Sequence, residues 1–177
     1  MSKKRIILLV IIALLIGVGG FTYYYAQVKA TNQQNERVST LTKSLKNQVL
    51  NEEEITFLTD RKLIDDNQLK INEEAKAFIT KEDNSLKDTE DIYGNFIFMS
   101  NEINTPLKEK VDTVKNKQLK TLSQTKPKTK KQTNYKNKLI NDVNQVQSDG
   151  TLKGTIKSYK SLKETKIRLD KLVAYAK

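Results

Sequence analysis

The chain has 177 residues, with 32 Lys and Arg against 21 Asp and Glu, a formal net charge of +11, and no cysteine, histidine or tryptophan. Those absences exclude disulfides, thiol nucleophiles, Cys/His zinc sites, haem ligation, Ser-His-Asp triads and lipid attachment through cysteine. Phosphate-cradling G-x-x-x-x-G-K-[ST] and G-x-G-x-x-G motifs and the G-x-S-x-G elbow are also missing, so a non-enzymatic protein without a cofactor is expected.

Residues 1–5, Met-Ser-Lys-Lys-Arg, precede an apolar run from Ile6 to about Ala26, close to the roughly 20 residues that cross a bilayer. Ile6, Leu9, Ile12 and Leu15 lie in its apolar body. Phe21, Tyr23, Tyr24 and Tyr25 follow at the depth where interfacial aromatics anchor a spanning helix. The sequence therefore predicts a single-pass signal-anchor over 6–26 in the lipid bilayer. Lys3, Lys4 and Arg5 put residues 1–5 in the cytoplasm as a basic tail and the C-terminal domain outside the cell. Two alternatives keep the same first half: cleavage near Val28-Lys29-Ala30, giving a secreted helical protein, or inversion, giving a cytoplasm-facing membrane scaffold. The Lys, Asn and Ile bias, with no N-x-[ST] sequon among fifteen asparagines, points to a bacterial cell envelope.

The rest of the chain is expected to be all-α, an elongated helical-bundle or coiled-coil-like ectodomain following the single N-terminal transmembrane helix. Val38, Leu41, Leu45 and Val49 line one helical face. Asn51 and Glu54 form a capping-box pattern that opens a short helix carrying Ile55, Leu58, Leu63 and Ile64. Asp65 or Asp66 caps the next helix, striped by Ile71, Ala75, Phe78 and Ile79, and Ser85 caps another. The acids Glu52-Glu53-Glu54, Asp65-Asp66 and Glu73-Glu74 read as solvated helix faces and first-turn acids, not as a catalytic or cation-binding set.

Tyr93-Gly94-Asn95-Phe96-Ile97-Phe98-Met99 is the densest apolar patch outside the N-terminal run, and a helix-centre core is favoured there over a strand. If it stays uncovered, Tyr93, Phe96 and Phe98 are the residues to dock a partner. Thr105-Pro106 either opens a new helix or kinks a continuing one. Residues 27–124 thus form one helical region, acidic up to about 105. Residues 125–133 read as a Lys-rich linker, and residues 134–177 as a basic helical hairpin turning at Ser148-Asp149-Gly150.

Charge divides the chain. Residues 31–105 hold 9 Lys and Arg against 15 Asp and Glu, whereas residues 106–177 hold 19 against 6. Between Asp112 and Asp142 there are nine lysines and no acid. Lys126, Lys128, Lys130, Lys131, Lys136 and Lys138 are the candidate polyanion-binding residues. The alternatives are that these lysines only keep a linker soluble, or that the basic half packs on the acidic half of the same or another chain. One tyrosine without interleaved aromatics argues against a specific nucleic-acid target. The expected function is a membrane-anchored extracytoplasmic interaction module that contacts an anionic cell-wall polymer or a membrane protein complex. The alternative is an accessory, immunity or exclusion subunit of a membrane machine. Narrow coiled-coil-like stripes leave a homo-oligomer open.

Overall fold

The computed structural model describes the backbone of residues 3–81 and 84–176, and the side chains of 25–81 and 84–176. Among these residues there are six helices and no strand: α1 Lys3–Gln48, α2 Glu52–Thr59, α3 Asp66–Phe78, α4 Leu86–Gln124, α5 Lys130–Gln145 and α6 Leu152–Ala176. No helix of the described residues is long and apolar enough to cross a membrane. The expected anchor residues Ile6, Leu9, Ile12, Leu15, Phe21, Tyr23 and Tyr24 have side chains outside the described set, and Tyr25 is exposed.

Local chemistry sets the helix ends. Asn51 accepts from the Glu54 N–H while Glu54 accepts from the Asn51 N–H, both at 2.9 Å, and Asp65 and Gln68 repeat the arrangement at the start of α3. These reciprocal bonds satisfy amides that the first turn leaves without intrahelical partners. The Asp88 N–H bonds to Ser85 Oγ to open α4. Lys62 takes a left-handed φ of 53° after α2. There its N–H reaches Thr59 O and the Leu63 N–H reaches Leu58 O, a Schellman-type closure.

α4 is a single helix through Pro106. Of the two expectations at Thr105-Pro106, continuation holds, because Ile103 and Leu107 on either side are both buried and packing outweighs the one missing backbone donor. Likewise α1 runs unbroken into the stripe of Val38, Leu41, Leu45 and Val49.

Two apolar clusters lie along α4. The first gathers Leu45 of α1 and Val49 and Leu50 just after it, Phe57 and Leu58 of α2, Ala75 and Phe78 of α3, Phe96, Met99, Ile103 and Leu107 of α4, and Leu152 and Ile156 of α6. The second joins Val111 and Leu122 of α4 to Leu139 and Val143 of α5 and Leu162, Leu169 and Leu172 of α6. Tyr159 packs against both and meets the Phe57 ring edge-on at 5.7 Å. α4 and α6 thus serve both clusters, which makes them one continuous core.

Long-range hydrogen bonds fix the directions. Asn104 donates to Gly150 O and Gln118 to Leu162 O, so α4 and α6 advance together. Gln132 at the start of α5 donates to Tyr175 O at the end of α6, so α5 runs back between them. At the other end Arg37 pairs with Glu90 and Ser44 lies 3.5 Å from Tyr93, so α1 and α4 also advance together. Residues 25–37 of α1 are all exposed. The apolar stripe ends at Val38, and there the helix leaves the bundle as a polar stalk.

The turn between α5 and α6 follows its sequence. Gly150 sits at φ 87°, and Asp149 Oδ1 accepts from the Thr151 N–H and hydroxyl. Gly154 leaves room for that carboxylate, which a Cβ would strike. Gly150→Ala is expected to cost about 1 kcal/mol from the left-handed backbone, read as a lowered urea midpoint with an unchanged slope.

Candidate functional site

The end of the molecule opposite the stalk is built from the α4–α5 connection, the first turns of α5 and the last turns of α6. The expected linker over 125–133 is shorter than the sequence reading made it. Thr129 caps α5 by accepting from the Gln132 N–H, and the helix begins at Lys130. Lys126 and Lys128 therefore lie in the connection, Lys130 and Lys131 in the first turn of α5, and Lys136 and Lys138 further along it.

The six candidate lysines do not act alike. Lys136 donates to Thr125 O at 2.8 Å, closing the end of α4. Lys115, from the same acid-free stretch, donates to Asn144 O and Val146 O, where a cation complements the carboxyl end of α5. Lys126, Lys130, Lys131 and Lys138 are exposed. The first turn of α5 contains no acid, so Lys130 and Lys131 lie where the helix dipole favours negative charge.

Lys131, Tyr135 and Lys138 fall on one face of α5, and Lys171, Leu172 and Tyr175 on the adjoining face of α6. Between them lies a groove of about 640 Å³, bordered also by Gln132 and Asn134. Buried Leu172 forms its floor, while Tyr135 and Tyr175 are exposed. No acidic residue is among its described lining residues. Tyr135, Lys171 and Tyr175 are absent from the sequence-derived set, because nothing in the α5 sequence says which turn of α6 will face it.

The aromatic docking set is divided by the fold. Phe96 is 0% exposed at the centre of the first cluster, and Tyr93 is half-buried against α1. Phe98, at 66%, faces solvent. In a helix, residues two apart point away from each other, so Tyr93, Phe96 and Phe98 do not form one partner-facing surface. Phe98 stands alone, as single exposed apolar residues commonly do.

The acidic and basic halves also meet within the chain. Lys160 of α6 pairs with Glu53 at 2.6 Å and Lys153 with Glu54 at 3.6 Å. The hydrogen bond and charge of Lys160 hold the Glu53 carboxyl below its ordinary value. Asp149 is lowered too, chiefly by the bond from the Thr151 hydroxyl. These contacts occupy the first turns of α6, and among the described residues Lys126, Lys130, Lys131, Lys138 and Lys171 have no salt bridge. Among the described residues, no group of three His, Cys, Asp or Glu side chains is placed to hold a metal ion.

Comparison with protein-family models, curated proteins and solved structures gives no match.

Proposed function

We propose that this protein is a non-enzymatic interaction module of the bacterial cell envelope, held in the membrane through residues 6–26 and contacting an anionic wall polymer with its distal end. The N-terminus is cytoplasmic and the helical domain extracytoplasmic. The anchor rests on the apolar run and its flanking Lys3, Lys4 and Arg5.

The observation that carries the reading is the position of the unpaired excess charge. Lys126, Lys130, Lys131, Lys138 and Lys171 cluster at the end of α4–α6 furthest from the stalk. From Tyr25 along α1 to Arg37, then from Glu90 along α4 to Gln124, the contour is about 70 Å at 1.5 Å per residue. A distance of that size exceeds several-fold the roughly 8 Å over which charge is felt at physiological salt. The basic tip is therefore electrostatically independent of the membrane that holds the stalk.

The test is binding of the full-length chain, in detergent micelles, to purified anionic wall polymer across a salt series. Affinity is expected to fall about tenfold or more between roughly 0.05 and 0.5 M salt, as counterion-linked contacts do. Affinity independent of salt, or no binding at low salt, overturns the reading.

A further inference from the structure

We infer that the groove between α5 and α6 seats one repeat of a phosphodiester-linked polyol or sugar chain. Lys131, Lys138 and Lys171 take the phosphates, and Tyr135 and Tyr175 take the carbon skeleton between them. This deepens the polymer-binding reading and rests on it.

Three observations converge. First, the groove joins cations from two helices with no acid among its described lining residues, so its charge calls for an anionic occupant. Second, its interior is not a lysine brush. Leu172 forms the floor and two exposed tyrosines form the walls, a combination of apolar body and hydroxyl tip. Pure polyanion binding has no use for such walls, whereas C–H faces alternating with hydroxyls match them. Third, a volume of about 640 Å³ falls in the range of small-ligand clefts and exceeds what a lone phosphate fills.

The spacing fits a chain in which charge and carbon skeleton alternate. On α5, Lys131, Tyr135 and Lys138 follow one another at intervals of four and three residues, placing a ring between two ammonium groups along a single helical face. On α6, Lys171 and Tyr175 sit one turn apart. Gln132 donates to Tyr175 O at 3.3 Å, holding the two faces in register.

Glycerol phosphate is shared by wall polymers and lipid headgroups, and the geometry favours the wall. The groove lies about 70 Å along the helices from Tyr25, where the bilayer would end, far beyond electrostatic reach of that surface.

The experiment compares the full-length chain with three probes: poly(glycerol phosphate), inorganic polyphosphate of matched charge, and phosphatidylglycerol vesicles. The wild type is expected to prefer poly(glycerol phosphate) over polyphosphate by about fivefold, the range of one or two aromatic contacts. The pair Tyr135→Ala and Tyr175→Ala removes that preference and leaves polyphosphate binding unchanged. The set Lys131→Gln, Lys138→Gln and Lys171→Gln weakens both polymers about tenfold or more, and Lys87→Gln with Lys163→Gln, elsewhere on the surface, weakens neither more than about twofold. Helical circular dichroism confirms that each variant is folded. A preference that survives both tyrosine substitutions overturns the groove assignment and leaves polymer binding standing. Tighter binding to the vesicles than to the polymer also overturns the assignment. Binding to none of the probes overturns both readings.

Discussion

Phe96→Ala is expected to lower stability by about 3–5 kcal/mol, whereas Phe98→Ala leaves it within about 0.5 kcal/mol of the wild type. Phe96 is fully buried in the first cluster, to which residues of α1, α2, α3 and α6 also belong. Removing its ring opens a cavity in a core that several helices share, and a backbone held from several sides cannot collapse to fill it. For a domain of this size the melting temperature should drop by roughly 10 °C. Phe98, two residues on, loses only a solvent-facing ring. Thermal melts followed by the helical signal check the pair. Equal losses at both positions would mean that they share a buried face, as in a strand, and would refute the helix.

Asn72→Ala should cost about 2–4 kcal/mol through two backbone groups left unpaired. Asn72 is fully buried in α3. Its amide accepts from the Leu50 N–H at 2.9 Å and donates to Leu50 O at 3.3 Å. Leu50 follows the last turn of α1, and its own side chain is fully buried. The substitution therefore strands a donor and an acceptor in apolar surroundings and releases the point where α1 turns into α2. The measurement is the urea midpoint at constant slope. A loss below about 1 kcal/mol would mean that water replaces the amide and that α3 does not hold the end of α1.

Helix identity was legible because its signals are local. The Asn51/Glu54 capping pair and the Asp65 cap act within four residues, and the stripe through Val38 and Val49 needs only the helical period. Ser85 and the Asp149-Gly150 turn were legible for the same reason. The start of α5 was obscured by its lysines: a charge run reads as linker, yet Thr129 and Gln132 cap a helix inside it.

What stayed hidden depends on distant parts of the chain. Asn72 looks like any surface amide until Leu50 is brought to it. Glu53 and Lys160, 107 residues apart, carry no mark of each other in the sequence. Tyr135 stands one turn before Leu139 on α5, yet in the fold it is exposed at 37%, because the buried side of the helix begins with Leu139 and Val143. The groove exists only once α5 has folded back against α6, so its three lysines and two tyrosines were visible singly and never as a set.

The parallel course of α1 and α4 has a mechanical consequence. The stalk leaves one end of the bundle and the end of α6 reaches the other, so tension applied between the stalk and the distal tip runs along the helices. It draws α1 one way and α4 with α6 the other, sliding neighbouring helices past each other and not peeling one off turn by turn. Leu45, Val49 and Leu50 must then lose their grip on the first cluster together, a shear geometry in which the load is shared across the whole contact.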